Sequence, residues 1–162
     1  MSVVYREFGS GTKFMNGDSL LARITPCLEN GKTAFVDFLE DTQIGWGSTE
    51  FIVMRSKAPV PPQFGYLLAR HEPFRAYAIQ HMTGTSGRQR VAADAIAGYA
   101  LVIPDKPIMS KFGSLCDAVF AQIKAKDEQA KSLAELRDTL LPKLMSGQLR
   151  LPEAEALVEQ AA

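Results

Sequence analysis

Cysteine is almost absent from this chain of 162 residues, which has only Cys27 and Cys116. Two cysteines so far apart are too few for a disulfide framework or a zinc site, and both read as small buried hydrophobes. No apolar run is long enough to span a bilayer, and the N-terminus lacks the charged-then-apolar pattern of a signal peptide. The expectation is a soluble, cytoplasmic protein without a membrane partner. No phosphate loop, dinucleotide fingerprint or metal-ligand spacing occurs, so no metal and no cofactor are expected. Histidine is limited to His71 and His81. A nucleophilic enzyme needs an activated Cys or Ser, a base and an orienting acid. Cys27 with either histidine can be assembled only on paper. Gly84-Thr85-Ser86-Gly87 lacks the strand–elbow–helix context of a serine hydrolase. No catalytic residue is expected. Net charge is zero, so the overall balance does not favour nucleic acid either.

What is present is a globular composition, 46% apolar and 22% charged. The length suits one domain with an appendage. The charges are unevenly placed. Arg55, Lys57, Arg70, Arg75, Arg88 and Arg90 face a single acid, Glu72, within 55–90. Such an excess is a candidate anion-facing surface, or else a set of scattered solvated cations. Within it, 83–90 is a loop by composition. Arg88 and Arg90 can grip guanine O6/N7 and Gln89 adenine N6/N7, while Thr85, Ser86 and glycine-exposed N–H groups suit phosphate oxygens. The competing reading is a surface loop whose arginines pair with acids of their own domain. Lys32 and Arg23 are weaker candidates, and Trp46 between two glycines is more often core than a stacking platform.

Along the chain, Val3-Val4-Tyr5 is a short apolar piece and Asn16-Gly17-Asp18 a turn. Strands are expected at 19–24 and 33–39, joined by a tight hairpin at Asn30-Gly31, with another at 50–55. Pro59, Pro61 and Pro62 make a stiff connector. Helical spacing over 63–82 is broken at Pro73 into two helices. A short helix or turn follows at 91–97, and a strand at 99–103 is closed by Pro104 and Pro107. From Lys111 to Leu144 the apolar residues Phe112, Leu115, Val119, Ile123, Ala130, Leu133, Leu136, Leu140 and Leu144 draw a stripe at helical spacing. About 34 residues make a rod of roughly 50 Å, too long to hide its stripe on the preceding domain. Leu133, Leu136, Leu140 and Leu144 are therefore the expected packing positions for a partner helix; the competing reading is an ordinary terminal helix folded over its own domain. Lys126 and Arg137 interrupt a strict heptad. The fold class expected is α+β: a mixed domain over 1–106, a long coiled-coil helix over 107–150 and a tail over 151–162.

Three stretches resemble the specificity (S) subunits of type I restriction–modification systems. They are Asn16–Lys32, Gly84–Val91 and Leu136–Leu149, the last ending in Leu140-Leu141-Pro142-Lys143-Leu144-Met145-Ser146-Gly147-Gln148-Leu149. The resemblance implies a non-catalytic subunit that binds double-stranded DNA through a target-recognition domain, which reads one half of a split target. It implies paired spacer helices that set the gap between the halves. These helices also dock the modification (methyltransferase) subunits and, through them, the restriction subunit. S subunits carry two recognition domains and two spacer helices, and this chain offers one of each. That suits a half-size subunit that dimerises or pairs with a sister half. The chain also reads as lacking the segment that leads into a recognition domain. The alternative, of another class, is a helical interaction module that has no DNA-reading activity of its own.

Overall fold

The structure, a computed structural model, describes residues 4–161, and the side chains of 4–159. Val3 lies outside the described residues, and Val4 and Tyr5 are exposed coil. The fold is α+β with a long C-terminal helix. The chain divides into two compact units, Met1–Cys116 and Asp117–Ala162.

The first unit is built on an antiparallel sheet in the order β3 (Thr33–Phe35), β2 (Ser19–Ala22), β5 (Phe51–Met54). Adjacent side chains of β2 point to opposite faces, and both faces are covered. Leu21 joins Leu28, Ile52, Phe74, Val91 and Ile96 in one core cluster, whereas Leu20 joins Phe14 and Val36 in another. Burial on both sides explains why Ser-Leu-Leu carries no polar alternation. Helix α1 (Gln63–Arg70) packs on β2 and β3, and α2 (Glu72–Gln80) contributes Phe74 and Ala78 to the core. The helices part at His71, and Pro73 sits in the first turn of α2, where its missing N–H costs nothing.

β2 and β3 pair as expected, with Leu21 opposite Thr33, but the tight hairpin does not form. Residues 23–32 make a long connection in which Leu28 is fully buried. Burial of that leucine fixes a compact turn-rich loop, and Gly31, at φ +66°, ends it. A second small sheet pairs β1 (Thr12–Phe14) with β4 (Gly45–Gly47). The pairing depends on Gly45, where a Cβ would lie 2.2 Å from the Phe14 ring. Trp46 is half-buried, with the Phe8 ring edge-on at 5.6 Å and the Arg6 guanidinium 4.4 Å from its ring centroid.

The strand expected at 99–103 is absent. Leu101, Val102 and Ile103 are exposed and make no strand pairing among the described residues. Tyr99 instead packs edge-on against Phe74 and Tyr77, both at 5.1 Å. The long helix, α4 (Lys106–Met145), begins five residues before Lys111. Asp105 is its cap: the Oδ1 accepts the Ile108 N–H at 3.1 Å, and Pro107 occupies the first turn. Up to Cys116, α4 belongs to the first unit, with Met109 and Cys116 buried and Phe112 set edge-on to Phe64.

In the second unit α4 ends in a Schellman motif. The Gly147 N–H donates to Leu144 O at 3.2 Å and the Gln148 N–H to Lys143 O at 2.9 Å, with Gly147 at φ +72°. The segment expected as a tail is a helix, α5 (Leu151–Ala161). Its first turn is closed by the Arg150 N–H donating to Glu153 Oε2 at 3.0 Å. Leu140 and Ala154 are buried, and with Leu141, Leu144 and Val158 they line a cavity of about 510 Å³. Gly147→Ala should destabilise this turn by about 1–2 kcal/mol, because a Cβ disfavours the left-handed backbone. Urea midpoints of the two proteins measure it, and equal midpoints would show that the turn tolerates a side chain.

Candidate nucleic-acid interface

The candidate loop joins two short paired strands, β6 (Met82–Thr83) and β7 (Arg90–Val91). Gly84 and Gly87 have φ of +121° and +79°, which lets the chain turn back within 84–89. Thr85, Ser86 and Arg88 are exposed, and Gln89 and Arg90 are partly so. Among the described residues Arg88 has no ion-pair partner.

The base of the loop is zipped to the segment that follows β2. The Thr25 N–H donates to Gln89 O at 3.0 Å, and the Gln89 N–H donates to Thr25 Oγ1 at 3.0 Å. The Val91 N–H donates to Arg23 O at 3.0 Å, and Ile24 bridges Arg90. Arg23 is thereby brought beside Arg88, Gln89 and Arg90 although more than sixty residues separate them in sequence. Lys32 is exposed at the far end of the same connection, where its N–H donates to Cys27 O. Among the described residues no hydrogen bond or ion pair joins Lys32 to the loop.

Glu50, just before β5, stands at the centre of this group. The Arg90 Nε donates to Glu50 Oε2 at 2.8 Å and Nη2 donates to Oε1 at 2.6 Å. Arg90 Nη1 also donates to Arg88 O at 3.3 Å, and the Arg23 N–H donates to Glu50 O at 3.0 Å. The Arg90 side-chain hydrogen bonds, with smaller coulombic contributions from Arg90 and Arg23, hold the Glu50 carboxyl below the usual carboxylate range. The same partnership raises the Arg90 pKa. Sequence reasoning missed Glu50, which lies forty residues from its partner. A lone acid beside a strand carries no local signal of that pairing.

The other basic side chains of 55–90 have varied surroundings. Arg55 donates from Nε and Nη2 to the buried Asp18 carboxylate, both at 2.7 Å, so this cation is structural. Arg70 lies over the Tyr66 ring, 5.7 Å from its centroid.

Among curated proteins, the chain is 30% identical over 159 residues to the type I restriction enzyme EcoEI specificity subunit of Escherichia coli, covering 93% of this chain and 25% of that subunit. It is 32% identical over 145 residues to the EcoAI specificity subunit of the same organism, covering 85% of this chain and 24% of the relative. A third match, the MjaIX specificity subunit of Methanocaldococcus jannaschii, is 43% identical over 53 residues, 33% of this chain and 12% of that protein. The chain is related to the specificity subunits of type I restriction enzymes. It spans about a quarter of the length of the two Escherichia coli relatives. No family model matches, and no solved structure matches significantly. Among its described residues the chain has no grouping of three metal-ligating side chains and no helix long and apolar enough to cross a membrane.

The Glu50–Arg90 pair makes stability depend on pH. Because the Glu50 pKa is lowered on folding, its contribution is complete above the ordinary carboxylate value of 4.5 and is lost as pH falls through the folded value. Arg90, whose pKa is raised, adds no pH dependence below the alkaline range. Wild type should therefore lose its stability advantage over Glu50→Gln as pH falls below the ordinary carboxylate value of 4.5. Paired denaturant titrations at pH 3 and pH 7 measure this, and a constant difference would remove the ion pair from the stability of the loop.

Proposed function

We propose that this chain is a DNA sequence-recognition module of a type I restriction–modification complex. The observation that carries this reading is the similarity to specificity subunits over 85–93% of the chain. The clustering of Arg23, Arg88, Gln89 and Arg90 supports it from a second direction. In this reading residues 1–106 recognise one half of a split target. Arg88, Gln89 and Arg90 contact bases or phosphates, supported by Thr85, Ser86, Arg23 and Lys32. Residues 107–150 form the spacer helix that docks the methyltransferase subunits and, through them, the restriction subunit, and α5 (Leu151–Ala161) follows it. The chain performs no chemistry itself and needs no cofactor. It acts in the cytoplasm and completes the split target as a homodimer or with a sister half-subunit.

The test is selection from a randomised duplex library by the full chain, alone and mixed with its modification subunit, over a salt series. Enrichment of a defined split motif, with affinity falling steeply as salt rises, is the expected result. A palindromic motif would favour the homodimer. A second reading, a helical interaction module that no longer reads DNA, is favoured by the uncovered side chains of α4 within the second unit. Val119, Ile123 and Leu133 are each 45–51% exposed there. Stable binding to the modification subunit with no enriched motif would establish that second reading and exclude the first.

A further inference from the structure

We propose that Glu50 is a specificity-determining residue, which fixes the Arg90 guanidinium so that it reads a base edge and is not free to collect phosphates. The inference rests on the DNA-reading function proposed above.

A guanidinium has five N–H donors in a rigid planar fork. Glu50 takes the single Nε donor and one donor of Nη2, in a two-point grip at 2.8 and 2.6 Å. Arg88 O takes one donor of Nη1 at 3.3 Å. One N–H is left on each of Nη1 and Nη2, and the side chain remains 42% exposed. Two N–H groups on adjacent nitrogens of a plane are what guanine O6 and N7 require, and the spent Nε edge cannot turn to other acceptors.

The carboxylate is itself anchored. The backbone oxygen of Glu50 accepts the Arg23 N–H, and the same segment of chain holds β7 through Val91 N–H to Arg23 O. Glu50, just before β5, and Arg90, on β7, are thus both locked to a shared third segment. Arg23 also contributes a positive field at Glu50, so the group Arg23, Glu50, Arg90 keeps one net positive charge facing DNA. Binding then needs no separation of the ion pair. Freed from Glu50, Arg90 would behave as a flexible cation drawn to the nearest phosphate.

Three proteins assembled with the modification subunit decide the matter: wild type, Glu50→Gln and Arg90→Lys. Each is measured against the selected motif and against duplexes altered at single positions, over a salt series. Glu50→Gln should fold and should lose at least about tenfold of discrimination at one base position. Its affinity for unrelated duplex should rise, and its slope of log affinity against log salt should steepen by about 0.9, one phosphate contact. Arg90→Lys should lose discrimination at the same position, because an ammonium cannot form the two-point contact. If Glu50→Gln keeps the wild-type preference and slope, the inference is overturned while DNA reading stands. A uniform loss on all duplexes with the slope unchanged also overturns it, since a merely structural residue behaves so. If wild type shows no sequence preference, the DNA-reading function fails and the inference falls with it.

Discussion

If α4 docks the modification subunit as proposed, the full chain carrying Ile123→Asp and Leu133→Asp should fold normally and lose at least a hundredfold of its affinity for that subunit. Ile123 and Leu133 are 51% and 47% exposed, so no core of the chain depends on them. Aspartate costs an exposed helix interior only about half a kcal/mol relative to better formers. In an assembled interface, burying the two aliphatic side chains is worth about 1.5–3 kcal/mol each, and a buried unpaired carboxylate adds a further penalty. The predicted loss is therefore about 10²–10⁴ in affinity. Circular dichroism and co-purification with the modification subunit read folding and assembly separately. Undiminished assembly in this variant would show that the exposed stripe is not the partner surface. Leu140 is unsuited to the same experiment. It is buried with Ala154 in the α4–α5 corner, so a charge there breaks the second unit's own packing. The spacing put Leu140 on the stripe, but α5 covers it.

That difference marks the reach of periodicity. Helical spacing located α1, α2 and the body of α4, and the apolar runs located β2 and β5. These elements carry their own pattern. The elements that escaped notice are fixed from a distance. β1 and β4 have three residues each, and they pair because the Phe14 ring lies where any side chain on Gly45 would have to be. Tyr99–Ile103 reads as a strand by composition but has no edge to join, and the aromatic contacts of Tyr99 decide its course. The start of α4 is legible in the sequence, since Asp105-Lys106-Pro107 is a capping sequence. The same division holds at the interface. Glycine, hydroxyl and guanidinium content singled out 83–90, whereas the Thr25 zipper and the Glu50 grip are products of tertiary structure.

Arg88→Ala combined with Arg90→Ala should reduce affinity for the selected DNA by about 30-fold to 10⁴-fold, at about 1–3 kcal/mol for each lost contact. The two single variants should differ in kind. Arg88 is exposed and has no ion-pair partner among the described residues, so its guanidinium is at liberty to meet a phosphate. Its removal should weaken all duplexes alike and lower the salt slope by about 0.9. Arg90 is held by Glu50 and can present only its remaining donors, so its removal should flatten sequence preference more than it lowers the slope. Arg90→Ala also leaves the Glu50 carboxylate facing DNA with only Arg23 nearby, which adds repulsion to the lost contact. The double variant alone would confuse these effects, and the slopes of the single variants separate them. Should both singles lose affinity equally on all sequences, the loop would be an electrostatic patch and base reading would have to come from elsewhere in 1–106.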